Sequence, residues 1–158
     1  MSRADALDEK AASASPGNSV IPPIPLPQPT DASRPFWESC HRHELRIQHC
    51  LQCGAFIHYP KIHCPMDGSD RFDWPIMSGK GYVYSFVVVL RAFHASFKLQ
   101  VPYVVAIIQL EEGVRMISNV VGIDPDKVYV GMRVEVEFDD VSADISLPKF
   151  HPYLRGGQ

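Results

Sequence analysis

Apolar positions over residues 81–138 recur at the two-residue spacing of β-strands. Residues 131–138 alternate cleanly, with Met132, Val134, Val136 and Phe138 on one side and charge on the other. Residues 81–90 and 101–110 are β-branched and aromatic almost throughout, which predicts two longer strands. Glu111, Glu112 and Gly113 form a tight-turn signal before a third strand at 114–121, so these two strands make a hairpin. Asp124-Pro125-Asp126-Lys127 reads as a capped helical turn, and a last short strand is expected at 144–147. About five strands, closely spaced turns and no long helix predict a small barrel over residues 75–150, with 151–158 as a C-terminal tail.

The first half of the chain reads differently. Residues 1–34 are rich in Ala, Ser and Pro, and P-P-I-P-L-P-Q-P-T at 22–30 can form neither a helix nor a central strand. Disorder is expected for 1–20. Over 21–34, Ile21, Ile24 and Leu26 alternate with proline, as in an extended arm that packs on its own chain or on a partner. A short helix is predicted at 35–45, capped by Ser33 or Asp31, with Pro35 in its first turn and Phe36, Trp37, Cys40 and His41 on one face. Cys40 is read as a buried structural thiol. Short strands at 46–50 and 55–59, and a third element at 71–74, complete a unit over 35–74.

That unit has little apolar sequence of its own, and its cysteines explain how it holds together. C-L-Q-C-G at Cys50–Gly54 and C-P-M-D-G at Cys64–Gly68 are two short turns, each presenting two side chains, as in a zinc ribbon. Cys50, Cys53, Cys64 and Asp67 are therefore the candidate ligands. Zinc accepts carboxylate oxygen as well as thiolate, so a structural Cys3Asp site is chemically reasonable. The competing readings are a metal-free remnant held by packing, or recruitment of His58 or His63.

Charge narrows the functional classes. The chain has 158 residues and a formal net charge of −3. Basic and acidic side chains number three and four over 1–35, four and five over 36–74, and eight and nine over 75–158. No segment supplies the basic patch that nucleic-acid binding needs, although Tyr82, Tyr84 and Phe86 alternate like a stacking platform. Those three rings are expected to face the barrel core or the ribbon. No apolar run has membrane-spanning length, and the polar N-terminus does not read as a signal peptide, so a cytoplasmic location is expected. No nucleophile elbow, H-E-x-x-H or phosphate loop is present, so the chain is not expected to catalyse alone.

Several separated motifs occur in a fixed order: Pro35-Phe36-Trp37-Glu38, Cys50-x-x-Cys53-Gly54, Cys64-Pro65, Gly81-x-Val83-Tyr84-Ser85, Val101-Pro102-Tyr103, Val121-Gly122-x-Asp124-Pro125, Gly131-Met132 and Leu147-Pro148-Lys149-Phe150. Over roughly residues 30–150 the chain resembles the DUF35-type family, in which a rubredoxin-like zinc ribbon precedes a five-stranded OB-fold. The family's second turn is usually C-P-x-C, and this chain departs from it at Asp67.

The resemblance implies a non-catalytic subunit that docks on a thiolase-fold protein and helps form or cover its acyl-CoA site. The complex would make or break a C–C bond of a CoA thioester by thiolytic cleavage, retro-aldol cleavage or acyl transfer. Within that reading Lys61, Arg91, Phe93, Phe97 and Lys98 are candidates for CoA or acyl contact. The prolines of 22–30 would wrap the partner. A single-stranded nucleic-acid-binding module is the alternative.

Overall fold

A computed structural model describes residues 22–153. The expectation of disorder at 1–20 lies outside the described residues. The chain runs through one helix, α1 (Arg34–His41), and eight strands: β1 (Gln48–Cys50), β2 (Phe56–Ile57), β3 (Phe72–Asp73), β4 (Lys80–Val89), β5 (Tyr103–Leu110), β6 (Arg115–Val120), β7 (Arg133–Asp140) and β8 (Ser146–Pro152). The first three form a small antiparallel sheet in the order β2-β1-β3, and the other five close a barrel in the order β4-β5-β6-β8-β7. Among the described residues no helix is long and apolar enough to cross a membrane.

Helix α1 stops at His41, four residues short of the predicted end. His43 adopts φ 58°, and its N–H donates to the Cys40 carbonyl while the Glu44 N–H donates to Ser39. This is a Schellman-type terminus with histidine in the left-handed position where glycine is usual, which is why it was not legible as a stop. The His43 ring stacks on Phe138 at 5.3 Å and meets Asp140 at 2.8 Å, tying the helix end to β7. Ser33 is the N-cap residue, but its hydroxyl is engaged with Thr30 rather than with the helix.

Barrel closure depends on two close approaches. Gly81 pairs with Leu110 on β5 and Val134 on β7, and a Cβ there would lie 2.3 Å from the Gln109 carbonyl oxygen. Glycine lets β4 lie tightly between its two neighbours. At the other seam β6 and β8 run parallel, with Val120 opposite Phe150. The last strand is longer than the predicted 144–147. It continues through Phe150, which is fully buried, to Pro152, so residues 151 and 152 are strand rather than tail.

Of the three rings expected to face the core or the ribbon, Phe86 packs against the core and the two tyrosines do not. Val83 is buried, whereas Tyr82 and Tyr84 point outward and stay exposed, and the pairing with β5 shifts between Val83 and Ser85. An irregularity of this kind reassigns faces within a strand, and period counting does not register it. The core is shared between the two halves of the chain. Phe36, Cys40, Leu45 and Ile47 pack in one cluster with Val83, Ile108, Val134 and Phe150, so the helix and the entry to β1 belong to the barrel core.

Candidate metal centre and exposed surfaces

The two turns of the ribbon are built alike. The Gly54 N–H donates to the Cys50 carbonyl and the Gly68 N–H to the Cys64 carbonyl, each at 2.9 Å, and both glycines have positive φ. Asp67-Gly68 therefore repeats the geometry of Cys53-Gly54, and this carries the Asp67 side chain to the place of a fourth ligand. The ligand atoms of Cys50, Cys53, Cys64 and Asp67 all lie within 4.8 Å of one another. Cys53 Sγ and Cys64 Sγ are 3.6 Å apart, and Cys50 Sγ is 3.5 Å from Asp67 Oδ2. A tetrahedral zinc with thiolates at about 2.3 Å and a carboxylate oxygen at about 2.0 Å needs edges of about 3.75 and 3.5 Å. The donor set fits that ion.

The electrostatics favour a cation as well. The Ser69 N–H donates to Asp67 Oδ1 at 2.9 Å, and this bond holds the Asp67 carboxyl below the usual range. Backbone N–H groups of Cys53 and Gln52 lower Cys50. At Cys53 the Ala55 N–H favours the thiolate, but desolvation and the neighbouring Cys64, Cys50 and Asp67 outweigh it and push the thiol up to about 12. Acids this close oppose one another's ionisation, and a divalent cation at their centre removes the conflict. Four protein ligands leave no open position, so the set suits a structural ion. His63 is exposed beside Cys64 and does not join the cluster.

His58 has a different role. Its ring is largely buried between the ribbon and the barrel, 4.2 Å from Tyr59 and 5.3 Å from Phe36, and neither ring nitrogen has a hydrogen-bond partner. Burial lowers its pKa from 6.5 to about 4. The folded state therefore binds this proton later than the unfolded chain does as pH falls. Stability attributable to His58 is intact above pH 6.5 and is expected to drop by about 3 kcal/mol as pH falls to 4. Urea midpoints at pH 7 and pH 4.5 check this. His58→Phe should lose distinctly less stability over that interval than the wild type, and equal losses would refute the assignment.

The remaining candidates do not converge. Lys61 sits in the ribbon between β2 and β3, where its backbone N–H and carbonyl are clamped by the buried Gln48 side chain, at 2.8 Å each. Arg91, Phe93, Phe97 and Lys98 lie in the connection from β4 to β5. Phe97 is half-buried and lines a crevice of about 420 Å³ with Pro23, Ile24 and Leu26 of the arm, whereas Phe93 is 96% exposed. A larger crevice of about 820 Å³ runs between Leu26–Pro29, Trp37 on α1 and Ile145. The described part of the arm runs beside its own helix and barrel, with most of its residues exposed. Exposed apolar side chains that pattern reading missed are Leu51, Ile62 and Met66 around the ribbon turns, and Leu90 and Leu99 beside Phe93.

Residues 37–73 match the family model of the ChsH2 rubredoxin-like zinc ribbon domain, and residues 74–139 that of the ChsH2 C-terminal OB-fold domain. The chain is 36% identical over 113 residues to a DUF35 domain-containing scaffold protein of Methanothermobacter thermautotrophicus, covering 71% of this chain and 84% of that one. It is 39% identical over 120 residues to the 3-oxo-4,17-pregnadiene-20-carboxyl-CoA hydratase alpha subunit of Mycobacterium tuberculosis. A probable enoyl-CoA hydratase alpha subunit of Thermomonospora curvata is 40% identical over the same length. The chain spans 36% of the length of each of these two hydratase subunits. Among solved structures, a chain of the Ltp2-ChsH2(DUF35) aldolase superimposes with TM-score 0.75 at 35% identity, covering 82% of this chain and all of that one. With ribbon, barrel and their order all accounted for, the chain belongs to the DUF35 family of zinc-ribbon/OB-fold proteins.

Proposed function

We propose that this chain is a non-catalytic subunit of an acyl-CoA-processing complex. It binds a thiolase-fold catalytic protein and helps form or cover the site at which a C–C bond of a CoA thioester is made or broken. The observation that carries this reading is the match of 82% of this chain to the whole of a chain of the Ltp2-ChsH2(DUF35) aldolase. The names of the two hydratase subunits support the CoA thioester as substrate class.

In this reading a zinc ion held by Cys50, Cys53, Cys64 and Asp67 is structural and stiffens the ribbon. Contact of the thioester with Lys61, or with Arg91, Phe93, Phe97 and Lys98, would come from two separate elements. Affinity purification from the native host, followed by assays of the isolated chain and of the recovered complex, tests the proposal. A thiolase-fold protein should co-purify, and thioester turnover should require it. Turnover by the isolated chain would overturn the reading.

One observation favours single-stranded nucleic acid instead. Tyr82 and Tyr84 face outward, and the Arg115 guanidinium lies 3.6 Å from the centre of the Tyr84 ring. A salt-dependent mobility shift with oligonucleotides would support that alternative.

A further inference from the structure

The connection between β4 and β5 is folded so that one of its aromatic residues anchors it and the other is displayed. Ser96 is buried, and its N–H and hydroxyl both meet His94 Nδ1. Residues Ala95–Phe97 form a 3-10 turn, and the Lys98 and Gln100 N–H groups close back onto Ala95 and Phe97. The Phe97 ring turns inward, 6.2 Å from Tyr103. Against this internally bonded frame, Leu90, Phe93 and Leu99 are 76%, 96% and 82% exposed. Single exposed apolar residues are ordinary, but three within ten residues, on a loop tied together by hydrogen bonds of its own, mark a contact site.

Charge identifies the kind of contact. From Trp74 to Leu110 the sequence contains no Asp or Glu, while Arg91 and Lys98 lie on either side of Phe93. Asp139, near Phe97 on the arm side, is already paired with Lys149. A loop bearing only cations repels a second copy of itself and complements an apolar recess with a carboxylate rim. A pre-folded loop also loses little conformational entropy on docking, and a single protruding aromatic in a recess is the usual form of an interface hot spot.

We infer that the β4–β5 loop is the anchor by which this subunit seats on its catalytic partner: Phe93 enters an apolar recess, Leu90 and Leu99 pack around it, and Arg91 and Lys98 meet carboxylates at the rim. This rests on the proposed role as a subunit of a thiolase-fold complex.

The test is a photo-crosslinking amino acid placed at Phe93 in the full chain expressed in the native host, with the same probe at Tyr129 as control. Tyr129 is exposed and lies near Arg133, which pairs with Tyr82 at the far end of β4 from the loop. Irradiation should join position 93, and not position 129, to a protein identified by mass spectrometry as thiolase-fold. Phe93→Asp should reduce co-purification of that protein by about 30-fold or more, the loss expected for a hot spot, with the thermal melt unchanged. Crosslinks to lipid or to a second copy, or none while the thiolase-fold protein still co-purifies, overturn the anchor and leave the subunit reading intact. If no thiolase-fold protein co-purifies, both fall.

Discussion

Removing the metal is expected to melt the ribbon and leave the barrel folded. The ribbon's own apolar cluster consists of Cys50, Ile57 and Cys64, with Phe72 packed against it, and two of those four are proposed ligands. Strands of two or three residues with so little buried surface do not hold by themselves. Zinc binding in such modules supplies on the order of 10 kcal/mol, which is then the folding energy of the unit. Helix α1 and the β1 entry instead share the barrel core through Phe36, Cys40 and Ile47 and should survive.

Purified protein should contain one zinc per chain. Chelation, or Cys64→Ala, should abolish amide protection across 48–73 while the barrel strands keep theirs. Asp67→Ala should weaken metal binding at least about tenfold, and Asp67→Cys should bind zinc at least as tightly as the wild type. Protein made with zinc present but containing almost none would remove the site from the account. Full affinity in Asp67→Ala would remove Asp67 alone.

Phe150→Ala is expected to be the most damaging single truncation in the barrel. Phe150 is fully buried, pairs with Val136 on β7 and faces Val120 across the parallel β6–β8 seam. Its backbone carbonyl also accepts from the Val121 N–H at 2.8 Å. Truncating a buried phenylalanine typically costs about 3–5 kcal/mol, and here the void would open where few strand pairs hold the cylinder closed. That is a large fraction of the stability of an ordinary domain. Denaturant unfolding should show a lowered midpoint, with faster hydrogen exchange in β6 and β8. A loss under 1 kcal/mol would mean that the seam relaxes to fill the space, contrary to the packing described.

The strands at 81–90, 101–110, 114–121 and 131–138 were legible because a half-buried strand writes its period into the side chains, and β5 alternates buried and half-buried along its whole length. The two ribbon turns were legible because metal ligands need fixed residue types at fixed spacing. Other features left no local signal. The helix end at His43 depends on a left-handed backbone in a residue other than glycine. The outward turn of Tyr82 and Tyr84 depends on which face of β4 the closed barrel encloses. The extension of β8 to Pro152 depends on β7 being there to pair with it. His58 looked like a spare ligand, and only its position between Phe36 and Tyr59 makes it a buried, unpartnered ring.

By itself the sequence determined the order of parts, arm then helix then ribbon then barrel, and the family. The order follows from periodicity and short-range spacing, which are local properties of a chain, and the family from the resemblance that the ordered motifs carry. Tertiary structure decided which apolar side chains are spent on the core and which are left for a partner. Phe93 and Phe97 are four residues apart in the same connection, yet Phe97 is half-buried beside Tyr103 and Phe93 stands in solvent. No local pattern separates them, because burial is set by what the rest of the chain brings to the same place.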